Sequence, residues 1–358
     1  MQNEKIDLKS RHLPPLKSRE EMMEIIDREV FGYLPSVDYT LSFSEPEVFD
    51  LRYNCGEVEG SFVDMTVTVG KKSHTIEIGR LLHTDKKKRP LVVLCNFHKM
   101  TESHYFPIEE LSEYDCDYLV VKYTDISSDD GDFLDGLAPL ILPNGQESDH
   151  SCGKIAIWAW GCMRVVDYAL TLEGTDKDFI AIAGHSRLGK CALYTAMHDT
   201  RIALSFSNAS GCTGSALNRG NSGFFEAEEK RGELISDIVR VFPFWFCKNY
   251  LKYAEANIPG GFDQHYLVGS IAPRYVAICS CDLDYWADPK SEQACALASS
   301  EAWERLGARG LVNGEDYIEN NNGLLDGNVA YFKIHSKHFL SRHSWKWLMK
   351  FIEKKHSN

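Results

Sequence analysis

Six short apolar runs set the limits on what this chain can fold into. They occupy residues 90–96, 118–123, 179–183, 203–207, 274–280 and 329–334. Each is too short to stand as a helix, and each is solid rather than alternating, as in a strand covered on both faces. Between them the apolar spacing changes to threes and fours. Residues 153–172 carry Ile155, Trp158, Ala159, Met163, Val166 and Ala169 at helical spacing, which makes Trp158 and Trp160 packing residues. Residues 186–197, 264–271, 292–306 and 344–354 also read as helices. Strands alternating with helices from residue 90 onward predict an open, mostly parallel sheet with crossover helices, a three-layer α/β sandwich.

The leading segment differs. Residues 18–30 place Met22, Ile25, Ile26 and Val30 on one helical face, and Ser18 with Glu21 has the spacing of a capping box. Residues 40–84 alternate in period two. Residues 61–70 and 73–79 flank Lys71-Lys72 as a hairpin, the antiparallel leading part of a mixed sheet. With no linker, repeat or low-complexity stretch, residues 1–358 read as one domain with a helical lead-in over 1–36.

A net charge of -13 argues against nucleic acid and anionic membranes as partners. No run approaches the roughly 18 apolar residues of a membrane span. The first residues lack an apolar signal core, so the expected compartment is the cytoplasm, with secretion open if a leader has been removed. The 11 cysteines are scattered and several lie in apolar runs. They read as small buried hydrophobes in a reducing compartment, with no metal site.

After the run at 179–183 comes Gly184-His-Ser-Arg-Leu-Gly-Lys190, and then a helix. A Ser at a strand-to-helix turn has its hydroxyl raised above the sheet edge, with the helix N-terminus behind it. The usual spacing is G-x-S-x-G; here Arg187 and Leu188 separate Ser186 from Gly189. Two further strand ends supply partners. One leads into Cys281-Asp-Leu-Asp-Tyr-Trp-Ala-Asp-Pro289, the other into His335-Ser-Lys-His338. Ser, then Asp, then His is the order of the α/β-hydrolase triad. A Ser hydroxyl needs a base, and the base needs a carboxylate that fixes its tautomer. His338 is the better base, because it lies farther from the strand, on a loop able to fold over the site. Asp282, Asp284 and Asp288 are all candidates for the acid. Asp284 has the usual reach, and Asp288 before Pro289 could instead cap a helix.

At this point the residues resemble a family. Gly184-His-Ser-Arg-Leu-Gly-Lys190 is similar to the nucleophile motif of glucuronoyl esterases, carbohydrate esterase family 15, particularly its bacterial branch. Further blocks resemble the family in family order: Ile157-Trp-Ala-Trp-Gly161, Ser207-Asn-Ala-Ser-Gly-Cys212, Arg231-Gly-Glu233, Phe242-Pro-Phe-Trp-Phe-Cys247, Asp263-Gln-His265, Ile271-Ala-Pro-Arg274, Asp284-Tyr-Trp-Ala-Asp-Pro289 and Lys337-His338. Phe31-Gly-Tyr-Leu-Pro35 resembles the N-terminal block, and the likeness spans residues 20–352.

The resemblance implies an α/β-hydrolase fold and cleavage of the ester joining (4-O-methyl-)glucuronic acid on xylan to lignin alcohols. It implies no cofactor. In its terms Ser186 attacks the carbonyl, His338 is base and then acid, and Asp284 completes the triad. Arg187 helps hold the oxyanion, Lys190 and Glu233 meet the sugar, and Trp286 lines its pocket. Two departures stand out. Many members carry a triad Glu where this chain has Ala209, which turns the choice toward Asp284. The segment at residues 220–230, with Phe224-Phe225, is longer than usual and could reshape the pocket. The alternatives are an acetyl or other carbohydrate esterase on small or oligosaccharide substrates, and an inactive carbohydrate-binding relative.

Overall fold

The computed structural model describes residues 4–49, 57–100, 105–221 and 231–357. Eleven strands among them form one mixed sheet. In chain order they are β1 (Thr40–Phe43), β2 (Glu47–Val48), β3 (Val58–Val69), β4 (Lys72–His83), β5 (Arg89–Asn96), β6 (Asp117–Lys122), β7 (Thr175–His185), β8 (Ile202–Asn208), β9 (Tyr275–Cys281), β10 (Asn322–Leu324) and β11 (Val329–Ile334). Their spatial order is β1-β3-β4-β6-β5-β7-β8-β9-β11-β10, with β2 beside β3. The strands β6, β5, β7, β8, β9 and β11 are mutually parallel, while β1 to β4 and β10 pair antiparallel. This is the α/β-hydrolase arrangement the sequence predicts, with the β3–β4 hairpin turning at Gly70 and Lys71.

The solid apolar runs have a simple cause. Successive side chains of a strand leave opposite faces of a sheet. Leu91, Val93 and Cys95 of β5 enter one core, with Ile180 and Ile182 of β7; Val92 and Leu94 enter the other, with Ala181 and Ala183. The first core is closed by helices Arg19–Ile26, Lys154–Ala169, Arg187–His198 and Pro289–Ser299. The second is closed by Ile108–Ser112 and Arg342–His356. In helix Lys154–Ala169 only Asp167 is not buried, so this helix is apolar nearly all round. Trp158 is fully buried there and donates from its indole to the Ser127 carbonyl at 2.9 Å, a packing role.

The N-terminal helix starts at the expected cap. The Glu21 amide donates to Ser18 Oγ at 3.2 Å, and the Ser18 amide donates to Glu21 Oε2 at 3.1 Å. One expectation needs correction. The helix read at 292–306 begins at Pro289 and breaks at Ser300. Ser300 Oγ donates back to the Ala296 carbonyl at 3.0 Å and accepts from the Leu311 amide at 2.8 Å, which draws the following loop into the break. Between β6 and helix Lys154–Ala169 lie two single turns of helix, Tyr123–Ile126 and Ala138–Ile141. Among the described residues no helix is long and apolar enough to cross a membrane.

Candidate active site

The carboxyl ends of parallel strands share one edge of the sheet, where ligands of such folds bind. Strand β7 ends at His185, and helix Arg187–His198 starts directly after Ser186. Ser186 has φ 58° and ψ -126°, a left-handed backbone that costs a non-glycine residue about 1–3 kcal/mol. Its amide donates to the Asn208 carbonyl at 2.9 Å, which ties the turn to the end of β8. A Cβ on Gly184 would lie 2.0 Å from the Leu188 carbonyl oxygen, so the helix folds back onto the strand only over glycine. A Cβ on Gly189 would meet Ser207 Oγ and the Ser210 Cβ, both at 2.9 Å. The second glycine therefore marks where the helix packs on the loop after β8. Of the two residues ahead of it, Leu188 is fully buried and Arg187 lines the pocket.

Strands β9 and β11 are neighbours, and their tails are joined: the Asp282 amide donates to the Ile334 carbonyl and the Leu283 amide to the Ser336 carbonyl, each at 3.0 Å. This seam brings the acidic loop and the histidine loop into register. His338 Nδ1 lies 2.5 Å from Asp284 Oδ2. The carboxylate can only accept, so Nδ1 carries the proton and Nε2 is left for the pocket. Asp284 is buried, while the His338 side chain is half exposed. The other two acids have other partners. Asp282 holds His335 Nδ1 at 2.8 Å and the Ser336 amide at 3.0 Å. Asp288 caps helix Pro289–Ser299, accepting from the Ser291 amide at 3.0 Å and its hydroxyl at 2.7 Å.

One pocket of about 200 Å³ is lined by Ser186, Arg187, Lys190, Glu233, Trp286 and His338, with Ala209 to Gly211, Phe242 and Trp245. The structure thus gathers the expected nucleophile, base, oxyanion arginine and sugar contacts around one pocket, and Asp284 stands behind His338. Lys190 is buried and donates from Nζ to the Ser210 carbonyl. Burial pulls its ammonium down from the ordinary range, and the nearby Glu233 carboxylate pushes back. Burial likewise raises Glu233, against Lys190 and a hydrogen bond from Trp286. Trp286 is half exposed, with the Arg231 guanidinium 5.4 Å from its ring centre. A larger cleft, about 380 Å³, opens at the opposite end of the parallel strands. It holds the pairs His83–Asp117 and Lys86–Glu173 and is lined by no serine.

Several residues of the site escaped sequence reasoning. Asp129, from the long acidic loop, binds Arg187 Nη1 and accepts from the Trp245 indole at 2.7 Å and the Tyr123 hydroxyl at 2.8 Å. His185 packs its ring 4.4 Å from that of His338. Burial and the neighbouring His338 push its imidazole down to about 3, so it stays neutral in ordinary buffers. Glu292 lies under the pocket loop, fully buried, and accepts from the Gly211 amide at 3.0 Å, Ser215 Oγ at 2.7 Å and Ser280 Oγ at 2.6 Å. Burial raises its carboxyl to about 7.

Known proteins resemble the chain in sequence and in fold. A model for fungal glucuronyl esterases matches residues 144–307. A carbohydrate esterase, MZ0003, from an unknown prokaryotic organism is 35% identical over 201 residues, 56% of this chain and 44% of the relative. The 4-O-methyl-glucuronoyl methylesterase of Hypocrea jecorina is 30% identical over 295 residues, 80% of this chain and 57% of the relative. The glucuronoyl esterase from Solibacter usitatus superposes with a TM-score of 0.80 at 25% identity, covering 94% of this chain and 92% of that one. In sequence and in fold the chain is similar to carbohydrate esterases of family 15. It spans about half the length of the curated relatives it matches.

Ala209, where the resemblance would place a glutamate, is among the described residues. Ala209 has φ 47°, lines the pocket, and donates its amide to the Cys279 carbonyl at 2.7 Å. It offers no carboxylate, and Asp284 is the acid that reaches His338. Of the long 220–230 segment, residues 222–230, with Phe224-Phe225, lie outside the described residues. The family-like chemistry calls for no metal. The fold does bring the sulfurs of Cys95, Cys162 and Cys191 within 4.8 Å of one another, three buried thiols that their scattered spacing did not foretell.

Proposed function

We propose that the protein is a serine carboxylic-ester hydrolase acting on esters of glucuronic or 4-O-methylglucuronic acid. The observation that carries this reading is one pocket in which Ser186, Arg187 and the Asp284-backed His338 come together with buried Lys190 and half-buried Glu233. Ser186 Oγ attacks the ester carbonyl as His338 Nε2 takes its proton. Asp284 supports the imidazolium that forms. The oxyanion is met by Arg187 and by backbone amides at the start of the helix, a charged donor added to neutral ones. His338 then returns the proton to the departing alcohol, which leaves a glucuronoyl ester on Ser186. Water, deprotonated by His338, releases the uronic acid and restores the serine.

Lys190 and Glu233 suit the sugar. Hydroxyl groups both donate and accept, and a buried ammonium with a half-buried carboxylate in the same pocket offers a partner of each kind. The pocket, about 200 Å³, has room for a single sugar ring. The ten described cysteines are buried and free, which supports a reducing compartment and a short oligosaccharide or small uronate ester as substrate.

The test is hydrolysis of benzyl or methyl glucuronate beside p-nitrophenyl acetate, with Ser186→Ala as control. Glucuronate ester turnover that falls at least about 1,000-fold in Ser186→Ala is the expected result. Turnover of acetate alone would overturn the acyl assignment, and activity that survives Ser186→Ala would overturn the nucleophile.

A further inference from the structure

An oxyanion donor contributes only if it is held where the charge develops, before the charge develops. Arginine is a long, flexible side chain, so something must hold Arg187. The structure supplies two restraints. The guanidinium carbon lies 4.4 Å from the ring centre of Trp245 and 4.9 Å from that of Phe242, two rings stacked on each other at 3.9 Å. From the side, Nη1 is bound by the Asp129 carboxylate. Arg187 Nε is buried and has no protein acceptor in a side chain that lines the pocket. A buried N–H without a partner is costly unless something fills its place, and the oxygen of a reacting ester would do so.

Asp129 has the connections of a keystone. Its Oδ2 takes the Arg187 and Tyr123 donors and its Oδ1 takes the Trp245 indole, so one carboxylate fixes both the arginine and the ring on which it rests. The loop that carries it is itself anchored. Buried Lys154 donates to Ser127 Oγ at 2.8 Å, to Ser128 Oγ at 3.0 Å and to the Asp132 carbonyl. The Ser128 amide donates to Asp135 Oδ2 at 3.0 Å.

We propose that Asp129 is the positioning residue that aims Arg187 at the oxyanion, acting through the arginine and not on the substrate. This rests on reading the pocket as an ester-hydrolysing site. It does not depend on which acyl group the pocket prefers, because every ester passes through the same oxyanion.

The experiment is a double-mutant cycle on benzyl glucuronate and on p-nitrophenyl acetate, with thermal melting to verify folding. Asp129→Asn keeps the shape and one acceptor and removes the charge. The expected result is a kcat about 10- to 100-fold lower with KM little changed, the cost of a misplaced catalytic group. The factor should be the same on whichever ester is turned over. In the Arg187→Ala background the same change should cost less than about twofold, since residues acting as a unit are not additive. If Asp129→Asn does not fold, Trp245→Phe keeps a stacked ring, removes the indole donor, and should show the same non-additivity. Losses that multiply in the double variant, or a wild-type kcat in Asp129→Asn, would overturn the proposal. Turnover of acetate alone would overturn the glucuronoyl reading and still read out the Asp129–Arg187 coupling.

Discussion

Asp282 and Asp284 stand two residues apart in one loop and hold different histidines. Asp284 reaches His338 in the pocket wall, and Asp282 reaches His335, which is largely exposed and outside the pocket. Asp284→Asn should therefore lower kcat/KM by about 10³- to 10⁴-fold, because an amide stabilises the wrong imidazole tautomer. Asp282→Asn should stay within about threefold. Steady-state kinetics on one ester checks both, and the reverse ranking would reassign the acid. The order Ser, Asp, His along three strand ends was legible in the sequence. The preference for Asp284 was legible from its reach; the seam between the tails of β9 and β11 that sets it against His338 was not, being a contact across 52 to 53 positions. Asp129 was hidden for a similar reason, since its arginine lies 58 residues away.

Helices and strands were easier to read than single residues. The parallel strands are buried on both faces, so their runs stand out even without alternation. What escaped was local: the break at Ser300 comes from a side chain bonding back to the backbone, which periodicity cannot register. The strand-to-helix turn at Ser186 makes its own prediction. In Gly184→Ala the new methyl would sit 2.0 Å from the Leu188 carbonyl oxygen, a backbone atom that cannot swing aside. The variant should lose at least about 3 kcal/mol of stability or fail to fold, the range of severe overpacking and strain. Urea unfolding checks this, and a stability within 1 kcal/mol of the parent, on the order of an ordinary surface change, would contradict the turn as drawn.

For the whole molecule, two buried groups near the pocket give stability opposing slopes with pH. The Glu292 carboxyl is raised to about 7, so its contribution is complete below the ordinary carboxylate range and is lost as pH rises through 7. His185 is depressed to about 3, so its contribution is complete above the ordinary histidine range and is lost as pH falls toward 3. Glu292→Gln removes the first slope. Measured by urea unfolding, the variant should gain on the parent by on the order of 2–3 kcal/mol between pH 4.5 and 7. A difference that stays flat, or runs the other way, would mean that Glu292 is already ionised in the folded state.

The account as a whole holds that this pocket receives a glucuronate ester with its carbonyl at Arg187 and its ring between Lys190 and Glu233. The most direct measurement is a crystal structure of Ser186→Ala soaked with methyl glucuronate. The account predicts the ester carbon beside residue 186, the carbonyl oxygen facing the Arg187 Nε–H, and sugar hydroxyls on Lys190 and Glu233. A sugar bound with its ring away from Lys190 and Glu233, or its carbonyl away from Arg187, would contradict it.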